Sequence, residues 1–244
     1  MRGRLCTLLC AGLLAACAST QHPAPVRESG QRVVRATTKF PPARPGHYRV
    51  LPGDTLYKVA FENNLDYRDL AAWNRLASPD LIYAGSELRL SAPGGAAVAA
   101  SPATAAPAWL AREPEETPGD WVWPARGLLL RGFDQTRGQK GIHIAGERGS
   151  PVQAAAPGRV VYAGDGLRGY GNLVIIQHSR TMLSAYGHQD ALLVREGERV
   201  ARGQAIGRMG DTDSDRVKLH FEIRVAGKPV DPARFLPGGD RKRG

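Results

Sequence analysis

The apolar positions of this 244-residue chain follow three different patterns. At the start, residues 5–16 form one uncharged, mostly apolar run of 12 behind Arg2 and Arg4. Between 47 and 91 the period changes every few residues. Apolar and polar positions alternate over 47–51, which predicts a strand. Pro52, Gly53, Asp54 and Thr55 make a turn, where Asp54 or Thr55 can cap a helix by accepting an orphan backbone N–H. Leu56, Val59 and Ala60 then share one helical face. Asp66 and Asp69 form a variant capping box for a second helix carrying Leu70 and Trp73. Leu88, Arg89 and Leu90 close the segment as a short strand. The predicted order is β-α-α-β in about 45 residues, near the smallest size that folds without disulfide or metal staples. From 121 to 237 short apolar runs (152–156, 159–162, 173–177, 183–186 and 219–225) are separated by Gly and Asp turns. That spacing predicts an antiparallel β-sandwich or barrel with little helix.

The stretches between these modules differ in composition. Residues 17–46 are polar, proline-bearing and basic (Arg27, Arg32, Arg35, Lys39, Arg44) and are expected to form a flexible tether. Residues 92–111 hold ten alanines and three prolines, and acidic sequence follows through Gly119. A linker over 92–120 would span on the order of 90 Å if extended. Residues 238–244 form a basic tail, and no internal repeat is present. The overall composition excludes a wholly disordered chain, a collagen, a coiled coil and a polytopic membrane protein.

A membrane-crossing helix needs about 20 apolar residues, so the N-terminal run reads as the core of a signal peptide over 1–16. Leu14, Ala15, Ala16 and Cys17 resemble a bacterial lipobox. That resemblance implies lipid on Cys17, which becomes the first residue of the mature chain; the alternative is an ordinary signal with a chance cysteine. The other two cysteines, Cys6 and Cys10, lie in the removed segment, leaving no thiol chemistry. Ala18, rather than aspartate, follows Cys17. In the lipoprotein class this implies sorting to the outer membrane, facing the periplasm. Loss of Arg2 and Arg4 lowers the formal net charge from +10 to +8. For an exported protein the expected counter-charges are anionic lipids and peptidoglycan carboxylates, not nucleic acid. The charge could equally serve solubility alone.

Residues 48–60 and 71–90 (YRVLPGDTLYKVA and AAWNRLASPDLIYAGSELRL) resemble LysM domains, which bind N-acetylglucosamine-containing glycans. The resemblance implies peptidoglycan as partner. It implicates Gly53, Asp54, Thr55 and Leu56 on one side of a groove and Pro79, Asp80, Leu81 and Ile82 on the other. Asp54 and Thr55 could instead serve only as helix caps.

Residues 141–164, 169–188, 194–210 and 219–236 resemble the LytM, lysostaphin-type zinc endopeptidase domain. Active members hold zinc with HxxxD and the second histidine of HxH, and use two further histidines for the attacking water and the oxyanion. Here Gln139 stands at the first ligand and His143 at the aspartate position; Lys218 replaces the first histidine of HxH. His220 and His188 remain. A catalytic zinc needs three good protein ligands and an open site. A neutral amide and an ammonium do not supply them, so no cofactor is expected. An unusual metal site built from His143, His188 and His220 stays open as an alternative. Tyr186, two residues before His188, is placed on the same strand face, where it lines the groove or packs. His22, His47 and His178 read as linker or surface residues.

Together the lipobox, the LysM segment and the degenerate LytM segment resemble the NlpD-type murein hydrolase activators. That resemblance implies a multidomain protein: a small α+β module and a mainly antiparallel β-sheet domain. It also implies that the LytM groove activates periplasmic N-acetylmuramoyl-L-alanine amidases without cutting the wall. The competing readings are an active zinc metalloendopeptidase and a non-catalytic wall-anchoring protein.

Overall fold

The computed structural model describes residues 40–78, 81–93 and 119–238. Cys17, His22, Pro79, Asp80, most of the tether and of the linker, and the tail from 239 lie outside the described residues. In the small module, β1 (His47–Arg49) pairs antiparallel with β2 (Glu87–Arg89). Between them lie α1 (Leu56–Glu62) and α2 (Tyr67–Trp73). Thr55 caps α1 by accepting Lys58 N–H, and Asp66 caps α2 by accepting Arg68 N–H. The predicted β-α-α-β order is the one observed.

The large module is one antiparallel sheet. Its strands are β3 (Leu129–Arg131), β4 (Ile142–Ala145), β5 (Pro151–Gln153), β6 (Gly158–Gly164) and β7 (Asn172–Gln177). They continue with β8 (Met182–Leu192), β9 (Arg199–Val200), β10 (Ala205–Met209), β11 (Lys218–Val225) and β12 (Lys228–Val230). The order is β3-β4-β11-β8-β7-β6-β9; β10 joins β8 to β5, and β12 closes a hairpin on β11. One face buries Ile144, Val160, Val174, Ile176, Tyr186 and Phe221 in a core of its own.

The other face is covered by the small module. Val161, Leu173, Ile175, Leu183 and Ala185 pack in one apolar cluster with Leu56, Val59, Phe61, Leu70 and Leu88. The sequence left the distance between the two modules open; the described residues of both share a core. The physical reason is mutual. A module of about 45 residues is near the lower limit for enclosing a core alone, so added cover stabilises it. A sheet whose central strand buries Leu173, Val174, Ile175 and Ile176 on both faces needs cover on both. Polar contacts fix the register between modules. Tyr57 donates to Gln177 Oε1 at 3.3 Å, Gln177 Nε2 donates to the Tyr67 hydroxyl at 2.9 Å, and Tyr67 donates to the Arg180 carbonyl at 3.2 Å.

One close approach is at Gly227, in the β11–β12 turn. Its φ is +75°, and a Cβ there would stand 2.3 Å from the Leu65 carbonyl carbon. Gly227→Ala should therefore strain the turn and push the small module off the sheet, costing roughly 1–3 kcal/mol from the backbone alone. Calorimetry of the wild-type chain should show one cooperative transition. The variant should show an earlier, separate transition for residues 47–91.

Candidate functional site

Sheet order brings the three histidines together. β11 lies between β4 and β8, so His220 pairs directly with His143 on one side and with Gly187 on the other. The ring centroids of His143 and His220 are 5.0 Å apart, those of His188 and His220 5.9 Å, and those of His143 and His188 6.3 Å. Lys218 sits two residues before His220 on the same strand face, as its alternation requires. Its ammonium is paired with Asp215 at 2.5 Å. Gln139 is half-buried at the end of the loop into β4 and bridges Asp134 through its backbone.

Tyr186 does not line this groove. It is fully buried on the opposite face against Phe221, and its hydroxyl accepts the Ala155 N–H. Strict alternation would place 186 and 188 together. His188 breaks the alternation with φ +63°, while its N–H leaves the ladder for the Tyr170 carbonyl at 2.7 Å. A non-glycine residue at positive φ is a costly conformation found often at functional sites. Here it turns the imidazole into the groove, where Nδ1 donates to the Thr212 carbonyl at 2.9 Å.

His178 is a second correction. It is buried, not a surface residue: Nδ1 donates to the Pro157 carbonyl at 2.7 Å, and Nε2 meets Ser184 Oγ at 2.6 Å. Ser184 continues to the Tyr186 hydroxyl. His47 is half-buried at the start of β1, with its Nδ1 on the Pro45 carbonyl.

The groove rests on three residues that the sequence reading missed. His220 Nε2 donates to Glu222 Oε1 at 2.9 Å, which fixes the orientation of the ring. Tyr170 donates to the same oxygen at 2.8 Å. Arg224 closes on the second oxygen through Nε at 2.9 Å and Nη2 at 2.8 Å. Glu222 and Arg224 are each only 1% exposed. Arg224 also donates to the Phe61 carbonyl at 2.6 Å and stacks 3.4 Å over the Phe61 ring, both in α1. The signal in the sequence was a polar residue at every second position, 218, 220, 222 and 224, through a strand otherwise apolar.

The charges in the groove are largely neutralised. Burial, followed by the neighbouring His220, Lys218, His188 and Arg131, pushes the His143 imidazole down to about 3. Burial also lowers His188, against the pull of the Thr212 carbonyl. Burial pushes the Glu222 carboxyl up, but the hydrogen bond from His220 and the Arg224 charge outweigh it and hold it well below the usual range. The groove therefore offers neutral imidazoles at His143 and His188 and a paired ammonium at Lys218, which suits hydrogen-bonded recognition.

Zinc is the metal that the fold family implies, and the residues present do not fit it. Gln139 offers an amide where a ligand should stand, and Lys218 an ammonium beside the site. Among the described residues, no group of three His, Cys, Asp or Glu side chains is placed to hold a metal ion.

The implicated LysM loop is built for structure as much as for contact. The Asp54 side chain is 3% exposed and accepts from Tyr48, Leu51 N–H and Lys58 Nζ. Leu56 is in the core, so only its backbone can reach a ligand. Gly53 and Leu81 are exposed, and Ile82 is half-buried.

Arg224→Met should strand the Glu222 charge and cost about 3–5 kcal/mol in urea unfolding. Adding Glu222→Gln should restore much of that loss. Acid should act through His178, which burial pushes down to about 4. A folded pKa below the unfolded value near 6.5 makes its contribution complete above that pH and lost as pH falls towards 4. The loss is on the order of 3 kcal/mol. His178→Gln should be less stable at pH 7 yet lose less over that window, read as urea midpoints at each pH.

Residues 48–91 match the LysM domain profile, and residues 137–232 match Peptidase family M23. The chain is 42% identical to the lipoprotein NlpD/LppB homolog of Pseudomonas aeruginosa, over 92% of this chain and 88% of that one. It is 34% identical to the murein hydrolase activator NlpD of Escherichia coli, over 78% of this chain and 67% of that one. Among solved structures it is similar to lysostaphin from Staphylococcus simulans, at 26% identity and a TM-score of 0.45 over 53% and 58% of the two chains. With the Pseudomonas aeruginosa relative matched across both modules, the chain belongs to the NlpD/LppB lipoprotein family.

Proposed function

We propose that this lipoprotein binds peptidoglycan and activates N-acetylmuramoyl-L-alanine amidases during daughter-cell separation, without hydrolysing the wall itself. It would act from the outer membrane, facing the periplasm and held by lipid on Cys17. The observation that carries the reading is the groove. It keeps the walls of an M23 site, but Gln139 and Lys218 replace groups that zinc chemistry requires. A cleft that has lost its catalyst is still a preformed place for a partner segment. The edge strand beside it supports this. Leu128, Leu129 and Leu130 are exposed at 79%, 37% and 46%, between Arg126 and Arg131. Such an edge is a natural docking site for an added segment. Activation requires only that the groove prefer the amidase's active conformation; each tenfold gain needs about 1.4 kcal/mol of preference.

A second reading, an active endopeptidase, is favoured only by the convergence of His143, His188 and His220. The test is digestion of isolated wall by the full chain carrying Cys17→Ser. It is run with and without amidase, with zinc or chelator, and with controls for the amidase's own metal. Digestion only with amidase present is the expected result. Digestion by this chain alone, abolished by chelator and restored by zinc, would overturn the activator reading. Lys218→Ala and His220→Ala should each lower stimulation roughly tenfold, with wall binding unchanged in a pull-down.

A further inference from the structure

Among the described residues β3 pairs with β4 alone and stands at the end of the sheet, beside the groove. Its outer side, with the residue before it, carries three leucines in a row, all of them exposed. Arg126 and Arg131 bracket the leucines, both exposed, and neither has an ion-pair partner among the described residues. The nearby Arg137 is already held by Asp134 at 3.4 Å.

The register splits this edge between two faces. Leu129 pairs with Ile144, which lies in the core, and Arg131 pairs with His143, which lies in the groove. Directly opposed residues of an antiparallel pair share a face, and the neighbours 143 and 144 point to opposite faces. The irregularity between Leu129 and Arg131 therefore sends the leucine to the core face and the arginine to the groove face. A further strand laid along β3 would continue both surfaces. It would need apolar side chains on the core face and acidic ones on the groove face, which is an alternating pattern.

We infer that the free edge of β3 takes up an extended segment of the partner amidase as an added strand, one in which apolar and acidic residues alternate, with a carboxylate on Arg131 beside His143. The inference rests on the activator reading and deepens it by naming the chemistry of the docking segment. Charge and hydrogen bonding decide against other occupants. If two copies paired antiparallel about their leucines, Arg126 of one would stand opposite Arg131 of the other, and like charges directly opposed are destabilising. A bilayer would cover the leucines but leave the N–H and C=O groups of the edge without partners in hydrocarbon. An acidic strand satisfies the backbone, the leucines and both arginines together.

The test titrates capped heptapeptides into the full Cys17→Ser chain at low salt, followed by NMR. One peptide alternates valine with glutamate and one alternates valine with lysine. A third repeats the glutamate sequence with every backbone nitrogen methylated, which keeps the side chains and removes the strand's donors. The glutamate peptide should bind roughly tenfold tighter than the lysine peptide and move the amide signals of residues 128–131 and 142–145. Methylation should cost at least about tenfold. Arg131→Gln should erase the charge preference and Arg131→Glu should invert it. Both variants should melt with the wild-type chain, because β3 is exposed throughout. The glutamate peptide should also suppress amidase stimulation, and the methylated peptide should not. Equal affinity for the two charged peptides, no detectable binding, or binding that survives methylation would each overturn the inference. So would a dimer of this chain that the glutamate peptide dissociates, or attachment to phosphatidylglycerol vesicles that it displaces, because the edge would then belong to a second copy or to lipid. Stimulation that the bound peptide leaves intact would remove the amidase as occupant. Peptide preference in a chain that stimulates no amidase strikes the activator reading; stimulation without the preference strikes the edge alone.

Discussion

A single buried ion pair, Glu222 with Arg224, joins the two halves of this protein. Removing two charges from water costs several kcal/mol per ion, and only complete pairing offsets it. The pairing here draws on distant parts of the chain. His220 and Tyr170 occupy one carboxylate oxygen, Arg224 occupies the other, and the remaining guanidinium donors reach the Phe61 carbonyl. The groove histidine is thus oriented by a carboxylate that is itself held by a cation resting on α1. Removing α1 from the sheet takes away a hydrogen bond and a ring face from Arg224, and the loss passes to His220. The small module is structurally part of the groove.

The shared core explains how so short a β-α-α-β unit stands without disulfide or metal. Its helices bury Leu56, Val59, Phe61 and Leu70 against Leu173, Ile175, Leu183 and Ala185. The sheet gains the cover that its doubly apolar strands need. At about 1.5–3 kcal/mol for each fully buried large side chain, such an interface outweighs most single polar contacts across it.

Much of this was legible in the sequence. Alternation over 47–51 and helical spacing at 56, 59 and 60 gave the small module its elements. Thr55 and Asp66 act as the caps their chemistry suggested. The resemblance placed His143, His188 and His220 in one groove, but their convergence comes from the sheet order and was not in the sequence. Other features depended on information that periodicity does not carry. Tyr186 was misplaced because period-two reasoning assumes an unbroken strand, and His188 adopts a left-handed conformation. His178 follows the apolar run 173–177, and only the fold shows that Pro157 and Ser184 stand ready to satisfy it. Docking of the modules was hidden for a related reason. A strand apolar on both faces shows that something covers it, but not which part of the chain does so.

Docking also changes what the segment between the modules does mechanically. Pro93 and Gly119, the described residues flanking it, belong to one compact unit, so its length does not set the distance between the modules. The entropic cost of such a loop grows only slowly with its length. Its alanine-rich stretch can therefore vary in length with little effect on how far the protein reaches.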